Sequence, residues 1–208
     1  MNEQPREAWR TLAELADILE QQVVKGAIGF TSDSGGARLE FRPSEGVELP
    51  IHAASSLVRA LAGLDLYLKT EAKPGDFLFI DEVEMNAHPE AQLALMEFLA
   101  MLVNHGLHVV MTTHSPYIVE HLNNLMAASE VPQEKRAELV PDFRLKSAEA
   151  FLSSDKVSAY GFTPLGESIE VTDILDRESK EIDWRTFSRV TDEMTNLYSR
   201  ILEAKDHE

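Results

Sequence analysis

Two adjacent carboxylates, Asp81 and Glu82, follow an apolar stretch of the chain, FLFI (77–80). Burying an unpaired carboxylate costs free energy or forces it to take up a proton, so a strand that ends in two of them must reach the surface or a cation. At the carboxyl end of a parallel strand, such a pair can hold a metal-bound phosphate and activate a water. Acids that only cap the next helix would produce the same pattern, and FLFIDE alone does not decide between the two.

His114 is a second candidate, because it follows the next apolar segment, LHVVMTT (107–113). If the two segments are neighbouring parallel strands, their carboxyl ends meet at one edge of the sheet, and His114 should lie close to Glu82. An imidazole in that place can hydrogen-bond a phosphate or orient a water. The alternative is a solvated loop histidine beside a Ser-Pro helix cap, and the neighbouring Asp-Glu pair favours the functional interpretation.

The elements that must position these residues form the most regular part of the chain. Two apolar segments without polar alternation flank a predicted helix from Pro89 to Asn104, which His-Gly closes. This order predicts a β-α-β unit whose two strands pair in parallel and are buried on both faces. Ser115 and Pro116 predict the start of a further helix.

The flanking segments predict helices and hairpins. Spacings of three and four residues predict a helix over residues 6–24, with Trp9, Leu12, Leu15, Ala16, Leu19 and Val23 on its apolar side. AIGF and ARLEF predict a hairpin around SDSGG, VELPI predicts a short extended segment, and a helix is expected from Ser55 or Ser56.

Beyond Ala127 the pattern loosens. EVPQEKRAELVPD, with its charges and two prolines, predicts a linker or mobile insert, and KVSAYGF and SIEVTDIL predict a second hairpin. A final helix is expected from Asp183, with a core stripe of Trp184, Phe187, Val190, Met194, Leu197 and Ile201.

Composition excludes several classes of protein. Of 208 residues, 36 are acidic and 19 basic, for a formal net charge of −17, which disfavours a phosphate-coating nucleic-acid surface. Cysteine is absent, which excludes disulfides, Cys-based zinc sites and thiol nucleophiles. The polar N-terminus lacks a signal core and no apolar run reaches the ~20 residues of a membrane span, so a cytoplasmic protein is expected. No histidine pair has HxH or HExxH spacing, which disfavours a metal-dependent hydrolase.

The central motifs resemble a known family. FLFIDEVEMNAHPEAQ followed by VVMTTHSPYIVEHLNNL is similar to the second half of an ABC-type ATPase head, nearest to the OLD-like and SMC-like branch of prokaryotic AAA-type ATPases. The resemblance covers roughly residues 24–126. It implies an α/β fold, a partial P-loop NTPase with a parallel sheet flanked by helices and a small α+β extension. The implied division is an ATPase lobe over 1–127 and an extension over 128–208.

The resemblance also implies roles for the candidate residues. Asp81 corresponds to the Mg²⁺-linked Walker B acid, Glu82 to the general base and His114 to the switch histidine. His88 falls in the family's D-loop region, residues 86–89.

The helix start HAASSLVRAL occupies the place of the family's signature, which presents amide groups across a dimer to the partner's nucleotide. Ser55 and Ser56 match that pattern, with Arg59 as a helper. Leu57 departs from it, because the family usually has glycine there and a side chain would obstruct close approach. Helix N-capping alone would also explain the two serines.

One expected motif is missing. No Gly-Lys dipeptide occurs in the 208 residues, so the phosphate-cradling loop G-x-x-x-x-G-K-[ST] is absent. ATP and Mg²⁺ are therefore expected to bind only with a Walker A lobe supplied in cis or in trans, and the isolated chain is expected to be inactive. The implied partners are that lobe, a second ATPase head in a homodimer, and an effector subunit. A catalytically silent dimerisation or partner-binding module remains the alternative.

Overall fold

A computed structural model of the chain describes residues 3–33, 36–183 and 185–205. Its helices are α1 (Glu3–Ile18), α2 (Ser56–Thr70), α3 (Pro89–Asn104), α4 (Pro116–Glu130), α5 (Gln133–Leu139) and α6 (Arg185–Lys205). Its strands are β1 (Ala27–Asp33), β2 (Gly36–Ser44), β3 (Val47–Pro50), β4 (Phe77–Ile80), β5 (His108–Met111), β6 (Tyr160–Leu165), β7 (Ser168–Asp173), β8 (Leu175–Asp176) and β9 (Glu181–Ile182). The fold is α/β, as predicted.

The β4-α3-β5 unit forms as the sequence predicts. The two strands pair in parallel, with Phe77 opposite His108 and Ile80 opposite Met111. Helix α3 begins at Pro89 and ends at Asn104, and its residues 94–102 are all buried. A helix that is buried around most of its circumference lies at the centre of a core, so α3 is the element on which the rest of the molecule packs.

The β4–β5 sheet is covered on one face only, which corrects the prediction of strands buried on both. Leu78, Ile80, Val109 and Met111 pack against the core. On the opposite face, Phe77 is 63% exposed, Phe79 73% and Val110 46%. The strands lack polar alternation because both faces are apolar, yet the described part of the chain covers just one of them.

The N-terminal third is also close to prediction. Helix α1 continues into a π-helical turn, Leu19–Val24, and strands β1, β2 and β3 form an antiparallel sheet. The predicted apolar side of the first helix is buried at Leu12, Leu15, Ala16, Leu19 and Val23, while the side chain of Trp9 lies outside the described residues. Helix α2 begins at Ser56 with Ser55 as its N-cap, as expected.

A partly buried ionic cluster joins these N-terminal elements. The Lys69 ammonium lies 2.6 Å from Glu20 Oε1 and 2.8 Å from Asp65 Oδ2, and it donates to the Ile28 carbonyl at 3.0 Å. Glu20 Oε1 also accepts a hydrogen bond from the Ile28 amide. The Asp65 side chain is fully buried, and its desolvation raises the pKa of its carboxyl to about 6 although Lys69 opposes that shift.

Replacing Asp65 should therefore change how stability depends on pH. The pKa of Asp65 is higher in the folded chain than its ordinary 3.8, so its contribution to stability is full below pH 4 and lost as pH rises through about 6. Relative to wild type, Asp65→Asn should gain stability between pH 4 and pH 7, by about 3 kcal/mol at most. Urea unfolding across that range measures it, with the exposed Asp155→Asn as control. An Asp65→Asn difference that does not vary with pH would contradict the assignment.

The segment after α4 packs back onto α3 and α4. Residues 133–139, predicted as a linker or mobile insert, form helix α5 instead. Leu145, Phe151 and Leu152 belong to the main core, and the Leu152 amide donates to the Leu125 carbonyl at 3.3 Å. The division at residues 127 and 128 stays a prediction, and these contacts cross it.

Glu97 holds that segment in place from inside the core. Its fully buried carboxylate lies 2.8 Å from His121 Nε2 and accepts hydrogen bonds from the amides of Arg144 (2.9 Å) and Leu145 (2.7 Å). At the end of α3, the Asn104 side chain donates to the carbonyls of Glu149 and Phe151. A buried carboxylate with several donors is tolerated, because the hydrogen bonds offset its loss of hydration.

The last third contains the predicted second hairpin, β6–β7, followed by the short pair β8–β9. The Asn123 side chain exchanges two hydrogen bonds with the backbone of Ile182, which fixes the chain just before α6. The expected core stripe of that helix is wrong at Val190, Met194, Leu197 and Ile201, which are 45–63% exposed. Trp184 and the side chain of Phe187 lie outside the described residues. Helical spacing reveals an apolar face, but it does not reveal whether this chain covers it.

Candidate functional site

Thr112 organises the carboxyl ends of β4 and β5. Its amide donates to the Ile80 carbonyl at 3.0 Å, which extends the parallel pairing by one residue. Its hydroxyl donates to Asp81 Oδ1 at 2.5 Å and accepts from the Glu82 amide at 2.8 Å. The Asp81 side chain is exposed, and among the described residues only its Oδ1 is engaged. The structure thus positions Asp81 at the surface, with Oδ1 held by the Thr112 hydroxyl.

Glu82 has an unusual backbone conformation. Its φ is +46°, in the left-handed region that residues other than glycine rarely adopt. Strand β4 ends at Ile80, so Glu82 does not continue the alternation of the strand. Such a conformation costs about 1 kcal/mol or more, and it persists only where the surrounding structure imposes it. Here the hydrogen bond from the Glu82 amide to Thr112 contributes to that restraint.

Glu84 ties the loop after β4 to the loop after β5. One carboxylate oxygen accepts from the Thr113 hydroxyl at 2.6 Å, and the other accepts from the His114 amide at 2.6 Å. The structure therefore places His114 beside this loop through its backbone, while its imidazole is exposed. Glu84, Thr112 and Thr113 are not among the site residues predicted from the sequence. The available signal was their position, since all three lie within four residues of a predicted strand end.

Gln92 connects the start of α3 to the start of α4. Its amide nitrogen donates to the Ala87 carbonyl at 2.9 Å, and its buried carbonyl oxygen accepts from the Ser115 hydroxyl at 2.6 Å. His88 lies at the N-cap of α3, where its Nδ1 accepts from the Glu90 amide at 3.4 Å. The structure thus gives His88 a capping contact, and Gln92 fixes the loop that precedes it.

Ser55, Ser56 and Arg59 form a separate group at the start of α2. Ser55 Oγ accepts from the Val58 amide at 3.3 Å, so Ser55 caps the helix. The Arg59 guanidinium donates to the carbonyls of His52 (3.2 Å) and Ala54 (3.3 Å), within its own segment. Leu57, which replaces the family's usual glycine, packs its side chain against the core.

A groove of about 380 Å³ runs between α2 and β4. Its walls are mostly apolar and include Leu57, Ala60, Leu64 and Phe79, while Asp81 and Glu82 supply carboxylates to the same lining. The groove therefore brings Asp81 and Glu82 to the same surface as Leu57 and Ala60 of α2, whereas Ser55, Ser56 and Arg59 do not line it. The side-chain hydrogen bonds of Ser55 and Arg59 stay within residues 52–59.

The donor set at this edge fits a cation that shares its ligands with a phosphate. The described residues contain no group of three or more His, Asp or Glu side chains able to hold a metal ion by themselves. Mg²⁺ in phosphoryl-transfer sites commonly takes one or two carboxylates, and water and phosphate oxygens supply the remainder. Asp81, exposed and hydrogen-bonded by a hydroxyl, meets that requirement.

Comparison with known proteins identifies the family. The family model described as AAA ATPase domain matches residues 3–119, more than half of the chain. A search of the curated proteins finds no match. Among the described residues, no helix is long and apolar enough to cross a membrane.

Three solved structures of SMC proteins show a distant likeness. One comes from work on ATP-driven dimerization and DNA-stimulated activation of SMC ATPases, with 13% identity, 91% of this chain and 94% of that chain covered, and a TM-score of 0.48. The others are an Smc head bound to the C-terminal winged-helix domain of ScpA and an Smc head with an extended coiled coil bound to the ScpA C-terminal domain from Pyrococcus furiosus. The Smc head bound to the winged-helix domain shows 15% identity, with 54% of this chain and 37% of that chain covered and a TM-score of 0.42. The Smc head with the extended coiled coil shows 12% identity, with 90% of this chain and 38% of that chain covered and a TM-score of 0.44.

These SMC likenesses are too distant to assign a function. The family match rests on its own, and it covers the β4-α3-β5 unit together with Asp81, Glu82 and His114. It confirms the ATPase resemblance of the central motifs and supports an ATPase-like function. The chain belongs to the AAA ATPase domain family.

Proposed function

We propose that this chain is the part of a Mg²⁺-dependent, ABC-type ATPase that carries the Walker B acid and the general base. The ATP site is completed by a Walker A lobe, in cis or in trans. The observation that carries the proposal is the joint positioning of Asp81 and Glu82 by Thr112, at the carboxyl edge of a parallel strand pair in an AAA ATPase domain.

Asp81 is proposed to hold the cation. Its carboxylate is exposed and oriented by the Thr112 hydroxyl, the kind of second partner that fixes a ligand's direction. Bound Mg²⁺ would neutralise charge on the phosphate oxygens of ATP. Asp81 would contribute one negative charge to the cation, from a carboxylate whose orientation is fixed by Thr112.

Glu82 is proposed as the general base and His114 as the switch histidine. Glu82 is exposed just after the end of β4, in a left-handed backbone conformation, where its carboxylate is open to a water. His114 is exposed too, and the bond from its amide to Glu84 fixes its backbone to the loop that follows Glu82. The base therefore accepts the proton of the attacking water, while the imidazole orients the phosphate or the water.

Ser55, Ser56 and Arg59 are proposed to contact the nucleotide of a second head. They lie at the amino end of a helix of 15 residues, where amide groups and the helix dipole favour anions. His88 is proposed to contribute from the start of α3. The present contacts of Ser55 and Arg59 are within their own segment, so these side chains would exchange local partners for phosphate oxygens.

The exposed face of the β4–β5 sheet supports the need for a further lobe. Parallel sheets are normally covered on both faces, yet Phe77, Phe79 and Val110 are exposed here. Phe79 also lines the groove that contains Asp81 and Glu82. A Walker A lobe docked on this face would bury the aromatic pair and bring its phosphate loop to the two carboxylates.

The wider assembly is proposed to be an OLD-like or SMC-like homodimer of ATPase heads in the cytoplasm, with an effector subunit. Direct nucleic-acid binding by this chain is not part of the proposal, because a net charge of −17 opposes contact with phosphates. A catalytically silent dimerisation or partner-binding module is the alternative, and the missing Gly-Lys dipeptide favours it.

The native assembly provides the test, purified from its source cell with an antibody against residues 1–208. We expect Mg²⁺-dependent ATP binding and a G-x-x-x-x-G-K-[ST] segment, either in the same polypeptide or in a co-purified one. Asp81→Asn should weaken Mg²⁺-dependent binding of ATP by about tenfold or more, measured by titration with a fluorescent ATP analogue. The exposed Asp142→Asn should bind like wild type. An assembly with neither ATP binding nor such a segment would contradict the proposal and establish the silent module.

A further inference from the structure

Helix α6 presents an apolar stripe that the described chain leaves uncovered. Val190, Met194, Leu197 and Ile201 recur at alternating spacings of four and three residues, and each is 45–63% exposed. That spacing is the seam of a two-stranded helical pair, in which each apolar side chain inserts between residues of a facing helix. Tyr198 and Leu202, also exposed, widen the stripe on one side.

We propose that α6 pairs with α6 of a second copy of this chain in antiparallel orientation, forming a dimer that needs no nucleotide. In that orientation Val190 faces Ile201 of the second copy, and Met194 faces Leu197, each pair occurring twice by symmetry. Every layer between residues 190 and 201 is then apolar on both sides. A self-complementary patch of this kind is the property that a two-fold symmetric dimer requires.

The charges beside the stripe select the antiparallel orientation. Glu193 and Arg200 occupy equivalent positions on one flank, seven residues apart. Antiparallel pairing places Glu193 opposite Arg200 of the second copy, so two attractive contacts form. Parallel pairing would place Arg200 opposite Lys205 of the second copy, and like charges at such flanking positions oppose association. Charge complementarity therefore favours a second copy, in one direction.

The expected dimer is weak. Helix α6 has 21 residues, a length of about 31 Å at the usual rise of an α-helix. A pair of this length buries less than the roughly 800 Å² per partner of a standard stable interface. The chain should therefore be monomeric at low concentration and dimeric at high concentration. This association is independent of the proposed head-to-head dimer, because it uses no residue of the ATP site.

Sedimentation equilibrium of the 208-residue chain without nucleotide and with a chelator tests the association. From about 1 to about 300 µM, the apparent mass should rise from 23.3 kDa towards twice that value. Leu197→Asp should remain monomeric throughout, and Ser199→Asp, on the opposite side of the helix, should behave like wild type. A chain that stays monomeric at the highest concentration would overturn the proposal. This holds also if α6 instead folds back on the hairpin of its own chain. A Leu197→Asp chain that still dimerises would also overturn it.

Disulfide crosslinking tests the orientation, because the chain has no cysteine of its own that could react. Mixed Val190→Cys and Ile201→Cys chains should form a disulfide with each other under mild oxidation. Val190→Cys alone should not, because antiparallel pairing separates the two copies of residue 190 by about 16 Å along the axis. Self-crosslinking of each single variant would indicate parallel pairing and overturn the proposal. Arg200→Glu should weaken the antiparallel dimer, and Glu193→Arg in the same chain should restore it.

Discussion

Glu82→Gln in the completed enzyme is expected to bind MgATP like wild type and to lose nearly all ATP hydrolysis. The glutamine has almost the same shape and can keep the left-handed backbone, but its amide cannot take a proton from the attacking water. Loss of a general base lowers rates by about 10² to 10⁴-fold. Steady-state phosphate release, with ATP binding measured separately, tests the prediction.

The control for Glu82→Gln is a carboxylate in the same loop-helix region that has no proposed catalytic role. Glu90 is exposed in the first turn of α3, and Glu90→Gln should keep wild-type turnover. Retained hydrolysis in Glu82→Gln would remove Glu82 from the general-base role. Loss of ATP binding together with hydrolysis would instead assign it to nucleotide binding.

Glu97→Ala is expected to cause the largest loss of stability. The substitution leaves the His121 imidazole and the amides of Arg144 and Leu145 without their buried acceptor. Removing one member of a buried polar group of this kind costs about 3–5 kcal/mol, because its partners stay desolvated. Urea unfolding of the 208-residue chain measures the loss.

Two further variants separate the hydrogen bonds from the general effect of truncation. Glu97→Gln retains one acceptor oxygen and should lose less stability than Glu97→Ala. Glu134→Ala, at an exposed position in the first turn of α5, should stay within about 0.5 kcal/mol of wild type. A Glu97→Ala loss as small as that of the exposed control would show that the segment 143–145 is held by apolar packing alone.

The sequence predicts the β4-α3-β5 unit well, because its signals are local. Pro89 with a preceding capping residue marks the start of α3, and Gly106 at φ +94° marks its end. The apolar runs on either side give the strands. Since parallel strands end at one edge, the position of Asp81 and His114 at that edge follows from the same information.

Tertiary hydrogen bonds could not be predicted in the same way. Thr112 and Glu84 reach across 29 to 31 residues to their partners, and no spacing in the sequence marks them. The sequence also predicts burial for apolar faces that the structure leaves exposed. Phe77, Phe79 and the α6 stripe have the composition of core residues, but the described chain does not cover them. Periodicity identifies the face of an element, whereas exposure depends on what else is bound there.

The Thr112 hydroxyl couples the two acids mechanically. It has one hydrogen to donate, which Asp81 receives, and it accepts the hydrogen of the Glu82 amide. A shift of Thr112 at the end of β5 would therefore act on the side chain of Asp81 and on the backbone of Glu82. The two proposed site residues thus share one point of attachment to the end of β5, the Thr112 hydroxyl.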